Sequence, residues 1–156
     1  MLPFFQWCYD TPIGEVIRES TWLFPVIEAV HLVGLGLTAG AVLIVDLRLL
    51  GAGLSRQPAV QLWASVRPWL LCSLGLMVVS GTLLFLSEAI KCYYSYAFWV
   101  KMTCLVLALV FAFTIRRQVV QSGPSPDRAL QSRLTAITSL GLWFGVAWGG
   151  RWIGFS

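Results

Sequence analysis

Apolar residues fill four stretches of this chain almost without interruption, about Trp22–Leu47, Trp69–Ser87, Tyr96–Ile115 and Leu134–Gly150. Each approaches the roughly 20 apolar residues that a helix needs to cross bilayer hydrocarbon. None alternates apolar and polar positions with the period of two expected of a barrel strand. A backbone in lipid must satisfy its own N–H and C=O groups, so the stretches predict helices. The first twenty residues follow another pattern. Leu2, Phe4, Phe5, Trp7, Tyr9, Ile13, Val16 and Ile17 interleave with polar positions, and Pro3 and Pro12 break the run. A short amphipathic segment in the membrane interface fits that pattern. The expectation is an all-α membrane protein, one domain over 1–156. It comprises an interfacial segment, 1–20, and a four-transmembrane-helix bundle, 22–47, 69–87, 96–115 and 134–150.

Composition agrees, with 58% hydrophobic and 12% charged residues, against about 45–50% and about 25% in soluble domains. Charge placement adds an orientation. Connections one and three carry Arg48, Arg56, Arg67, Arg116, Arg117, Arg128 and Arg133, against Asp46 and Asp127. The opposite side has four basic residues: Arg18, Lys91, Lys101 and Arg151. The excess of arginine predicts that connections one and three face the cytoplasm, with both termini outside. The net charge of +4 follows from this bias. Its residues are spread over two short loops, which gives no nucleic-acid signal. Asp10, Glu15 and Glu19 near the start argue against a cleavable signal peptide, whose first region is basic.

On this topology Cys8 and Cys92 both face the outer compartment, where disulfides form, and they are the candidate bridge. Cys72 and Cys104 fall inside helices and are expected to pack as small apolar residues. No C-x-x-C spacing supports a thiolate metal or redox site. Gly141, Gly145 and Gly149 form two overlapping G-x-x-x-G steps, Gly36 and Gly40 a third, and Gly75 and Gly81 mark helix two. Such glycines let helices approach closely, inside one bundle or between copies. Aromatic residues such as Trp7, Trp22, Tyr94 and Trp152 form an expected interfacial belt. Trp143 lies deeper and is a candidate pocket residue.

The chain has one histidine, His31, with Glu28 three residues before it. At that spacing both lie on one side of the helix. At about 1.5 Å per residue, His31 lies about 13 Å and Glu28 about 9 Å below Trp22. Ionisable groups are rare at such depth and usually functional. Glu88 and Lys101 are expected near the same outer face, giving one polar cluster of Glu28, His31, Glu88 and Lys101, with Lys91 or Arg151 at its edge. A structural reading competes with the functional one. Lys101 can snorkel to the interface, Glu88 and Lys91 can pair at i, i+3, and Glu28 can tie helix one to Lys101. Asp46 and Arg48 read as a helix-end device.

The cluster admits three chemistries. Glu28 and His31 offer two ligands for a metal ion, with Glu88 as a third. His31 offers one axial ligand to haem b. A histidine beside a carboxylate is also suited to relaying protons. Nothing pairs a nucleophile with a base, so no residue is assigned a catalytic role.

The runs Ile17-Arg18-Glu19-Ser20, Glu28-x-x-His31 and Asp46-Leu47-Arg48-Leu49-Leu50-Gly51 resemble an uncharacterised family of small bacterial four-helix membrane proteins. So do Gly81-x-x-x-Phe85-x-Ser87-Glu88-Ala89 and Lys91-Cys92. That resemblance implies a fold and no activity. Phe98-x-x-Lys101 is similar, more distantly, to the third helix of copper-resistance D-like proteins, which resemble b-type cytochrome bundles. Their additional histidines are missing here.

The leading expectation is a non-enzymatic accessory or anchor subunit with a polar ligand site in its outer half. It would work in the lipid bilayer as a homo-oligomer or within a larger membrane complex. The alternatives are a haem- or quinone-interacting electron-transfer protein using His31, and a small transporter or proton relay.

Overall fold

The computed structural model describes residues 1–52, 58–122 and 128–154; Arg56 and Asp127, two of the loop charges, lie outside them. The described residues are helical almost throughout. Helices α1 (Leu2–Tyr9) and α2 (Pro12–Glu19) each carry a proline in the first turn, Pro3 and Pro12, where its missing N–H costs nothing. Thr11 Oγ1 caps α2 by accepting from Gly14 N at 3.3 Å. The expected interfacial segment is thus a pair of short helices, and both lie against α4.

Helix α3 spans Leu23–Leu50 and α4 spans Ala59–Tyr94. Gly51 ends α3 in the left-handed region at φ 79°, its N–H bonded to the Arg48 carbonyl at 3.2 Å. Side chains other than glycine rarely adopt that conformation. At 36 residues, α4 is about 54 Å long and overruns the roughly 30 Å hydrocarbon layer. It begins at Ala59 rather than Trp69 because nothing in the polar stretch before Trp69 halts a helix except Pro68. That proline is tolerated inside α4. Near the other end Glu88 leaves helical geometry at φ −128°, ψ 30°, and kinks the helix.

Helix α5 (Tyr96–Phe111) continues through a π segment (Ala112–Arg116) into α6 (Arg117–Gln121). Helix α7 covers Ala129–Ile153. It packs along α5 and α3, and α3 packs along α4.

Three helical stretches are long and apolar enough to cross a membrane: Leu23–Leu50, Ala59–Tyr94 and Tyr96–Gln121. The expected fourth, α7, is 25 residues long but less apolar. Gln131, Ser132, Arg133, Thr135, Thr138, Ser139 and four glycines dilute it.

Large apolar side chains point away from the protein along these stretches, among them Leu32, Val33, Leu37, Val78, Val79, Val106 and Val110. Exposure of that kind suits an apolar solvent. One buried cluster, including Val42, Val45, Leu70, Trp63 and Val146, joins the long helices. A second gathers Phe5, Cys8, Ala89 and Cys92 under α1. It marks the end of the bundle that carries the N-terminus.

Candidate functional site

His31 projects from α3 towards α4, where its Nδ1 lies 2.9 Å from Ser80 Oγ. Ser80 donates its single hydroxyl proton to the Leu76 carbonyl at 2.7 Å. Towards the imidazole Ser80 therefore acts as acceptor, so Nδ1 carries a hydrogen and Nε2 keeps its lone pair in the neutral ring. Gly81 makes room for the ring: a Cβ there would meet His31 Cε1 at 3.1 Å. Two turns along the same face, Thr38 donates to Ser73 Oγ at 2.8 Å, with Met77 Sδ 3.6 Å away. Polar groups thus line the buried α3–α4 seam in hydrogen-bonded pairs.

The residues expected beside His31 are distributed more widely. Glu28 is exposed and makes no hydrogen bond or ion pair among the described residues. Lys101 is half-buried on α5, lies against Gly149 and Gly150 of α7, and stands within electrostatic reach of His31. Glu88 sits at the α4 kink with Lys91 Nζ 4.0 Å from its Oε2. Cys8 and Cys92 share the buried cluster under α1, both as free thiols. Cys104 is partly buried against Gly145, whereas Cys72 faces outward instead of packing inside. Among the described residues no three His, Cys, Asp or Glu side chains come together to hold a metal ion. For a haem iron or a metal ion His31 has Nε2 to offer.

A cavity of about 650 Å³ opens where α2, the start of α3 and the α4 kink meet. Arg18, Glu88 and Lys91 bring charge to it, Tyr9 and Tyr94 their rings, and Phe24, Pro25 and Ile90 an apolar wall. The kink builds this site. Just before the kink, the Leu86 and Ser87 carbonyls both accept from Arg18 Nη1 at 3.3 Å. The Arg18 guanidinium also stacks 3.7 Å from the Tyr9 ring centroid. Gly14 allows α2 to sit this close, since a Cβ there would lie 2.6 Å from the Leu86 carbonyl oxygen. Arg18 is therefore held in place. Glu88 and Lys91, more than a third exposed and loosely paired, are the charges able to turn towards a ligand.

Sequence reasoning misses the most deeply buried charges. By pattern, Asp46 is part of a helix-end device and Arg116 a loop cation. Both are fully buried, with Arg116 Nε 2.9 Å from Asp46 Oδ1. Arg116 Nη2 also donates to the Val42 carbonyl at 2.9 Å, and its guanidinium lies 5.4 Å from the Trp63 ring centroid. The π segment accounts for the inward position. An i→i+5 turn adds a residue to the helix circumference and rotates the residues after it. Trp143, the candidate pocket residue, is buried in the same core.

No curated protein and no solved structure matches this chain. The pattern described as "Family of unknown function (DUF6644)" matches residues 4–156, and the chain belongs to that family.

Proposed function

We propose that this protein is a four-span accessory or anchor subunit of a bacterial inner membrane, without a catalytic step of its own, that holds an amphiphile at its outer end. The cavity at the α4 kink carries the reading. Its charged and aromatic rim suits a polar or zwitterionic head, and the Phe24, Pro25 and Ile90 wall suits the start of an apolar tail. The site moves from the expected Glu28–His31 pair towards Arg18, Glu88 and Lys91.

The orientation rests on arginine placement, which keeps its bias when buried Arg116 leaves the count. A fourth span is supported by the outward face of α7, where Leu134, Ile137, Phe144 and Trp148 are exposed while Thr135 and Ser139 point inward. Membership of a larger complex is supported by Gly36, Gly40 and Gly75, which have open space beside them and leave a flat surface for another helix.

Native mass spectrometry of the protein released from its membrane tests the ligand. The wild type is expected to retain an amphiphile that Lys91→Gln and Glu88→Gln each weaken several-fold. A wild type carrying no bound mass, or retention indifferent to both substitutions, would overturn the reading.

A further inference from the structure

The buried pair formed by Asp46 and Arg116 is incompletely satisfied. Arg116 Nε lies 2.9 Å from Asp46 Oδ1, and the second carboxylate oxygen, Oδ2, has no hydrogen-bond partner among the described residues. Arg116 Nη1, Ser139 Oγ and Trp143 Nε1 likewise have no hydrogen-bond partner among them. All four residues are more than nine-tenths buried. Ser139 faces the Asp46 carboxylate, and Trp143 follows it one turn along α7. Three helices thus direct unmet donors and an unmet acceptor into one part of the core.

We propose that this locus is a water-binding site, in which one or two ordered waters bridge Asp46 Oδ2, Arg116 Nη1 and Ser139 Oγ, with Trp143 Nε1 as a further donor. The ligand class follows from the charges. An anion would meet the Asp46 carboxylate, and a cation would meet the Arg116 guanidinium. A small neutral molecule that both donates and accepts satisfies all of them. Buried waters characteristically make two to four such bonds, and a buried ion pair is tolerable in a protein core when its remaining polar atoms are bonded. Fully buried Val42, whose carbonyl Arg116 engages, and Val45, next to Asp46 in the chain, keep the ligand small. The bound water also gives the guanidinium a partner for proton exchange inside an otherwise apolar core.

Nitrogen-15 arginine labelling of the full chain in lipid nanodiscs tests this by magnetisation transfer from water. The Arg116 guanidinium signal, identified by its loss in Arg116→Lys, is expected to show a cross-peak to long-lived water. Ser139→Val, which replaces a hydroxyl partner with apolar carbon, is expected to reduce that cross-peak to background. Guanidinium protons that see only protein neighbours in the wild type would establish a dry ion pair and overturn the proposal. So would a cross-peak of full intensity in Ser139→Val. The wild-type spectrum decides the matter by itself if the valine variant fails to fold.

Discussion

Asp46 and Arg116 are the two residues whose surroundings leave them least freedom. Each is fully buried, and each is the other's charge partner. Removing one partner strands a charge in the core, which costs about 3–5 kcal/mol, whereas replacing both with apolar residues of similar size is often neutral. Asp46→Leu alone should therefore destabilise by about that amount, and so should Arg116→Leu. The double variant should be more stable than either. Denaturant unfolding of the purified protein checks this, and additive losses would show that the charges do not interact. The sequence hid this pair for a physical reason. Arg116 ends an apolar run, where a snorkelling loop cation is the ordinary reading, and its partner sits on another helix. A five-residue π segment has no signature that sets it apart from the helix around it. The Glu28–His31 spacing was legible, but residues three apart point about 60° apart around the helix. His31 reaches the α3–α4 seam while Glu28 stays outside it.

At the scale of elements, the glycines decide how closely helices approach, and equal spacing serves opposite ends. Gly145 and Gly149 of α7 press on α5, as their G-x-x-x-G step suggests. Gly36 and Gly40 have the same spacing on α3 and face open space. The α3–α4 contact instead uses Gly34 against Met77 and Gly81 against His31. Spacing therefore marks a candidate face without telling which faces meet. The α5–α7 contact carries a rescue experiment. A Cβ on Gly145 would lie 2.7 Å from Cys104 Sγ and 3.4 Å from its Cβ. Overpacking of this kind costs about 1–3 kcal/mol. Gly145→Ala should lower the Tm of the purified protein, and adding Cys104→Ala, which removes the sulfur and leaves the 3.4 Å contact, should restore most of the loss. At Gly149 the neighbours are the Ala97 carbonyl and the Lys101 backbone nitrogen, at 3.0 and 3.1 Å. Backbone cannot be trimmed, so no companion substitution should rescue Gly149→Ala. Rescue at Gly149 as complete as at Gly145 would contradict this account of the interface.

Over the whole molecule, the class of protein was readable from composition and run length, because helices that face lipid must be apolar for about 20 residues. The number of crossings was less readable, because average hydropathy counts inward and outward residues alike. Helix α7 makes the difference plain. At 25 residues it is about 37 Å long, enough to span hydrocarbon. Its Thr135 and Ser139 are buried within the bundle, and its glycines 145 and 149 are spent on the contact with α5. The side turned outward carries Leu134, Ile137, Phe144 and Trp148. Lipid would meet that side. If α7 crosses, Ser122 before it and Gly154 after it lie in different compartments, with Asp10 on the side of Gly154. Single cysteines at these exposed positions can be probed in spheroplasts with a membrane-impermeant maleimide, which reacts through water with the thiolate and so discriminates against lipid-facing Cys72. Asp10→Cys and Gly154→Cys should label in intact spheroplasts, and Ser122→Cys only after permeabilisation. Labelling of Ser122→Cys and Gly154→Cys from the same side would mean that α7 lies against three spans without crossing. The cavity at the α4 kink would then have to be placed relative to the membrane from those three spans.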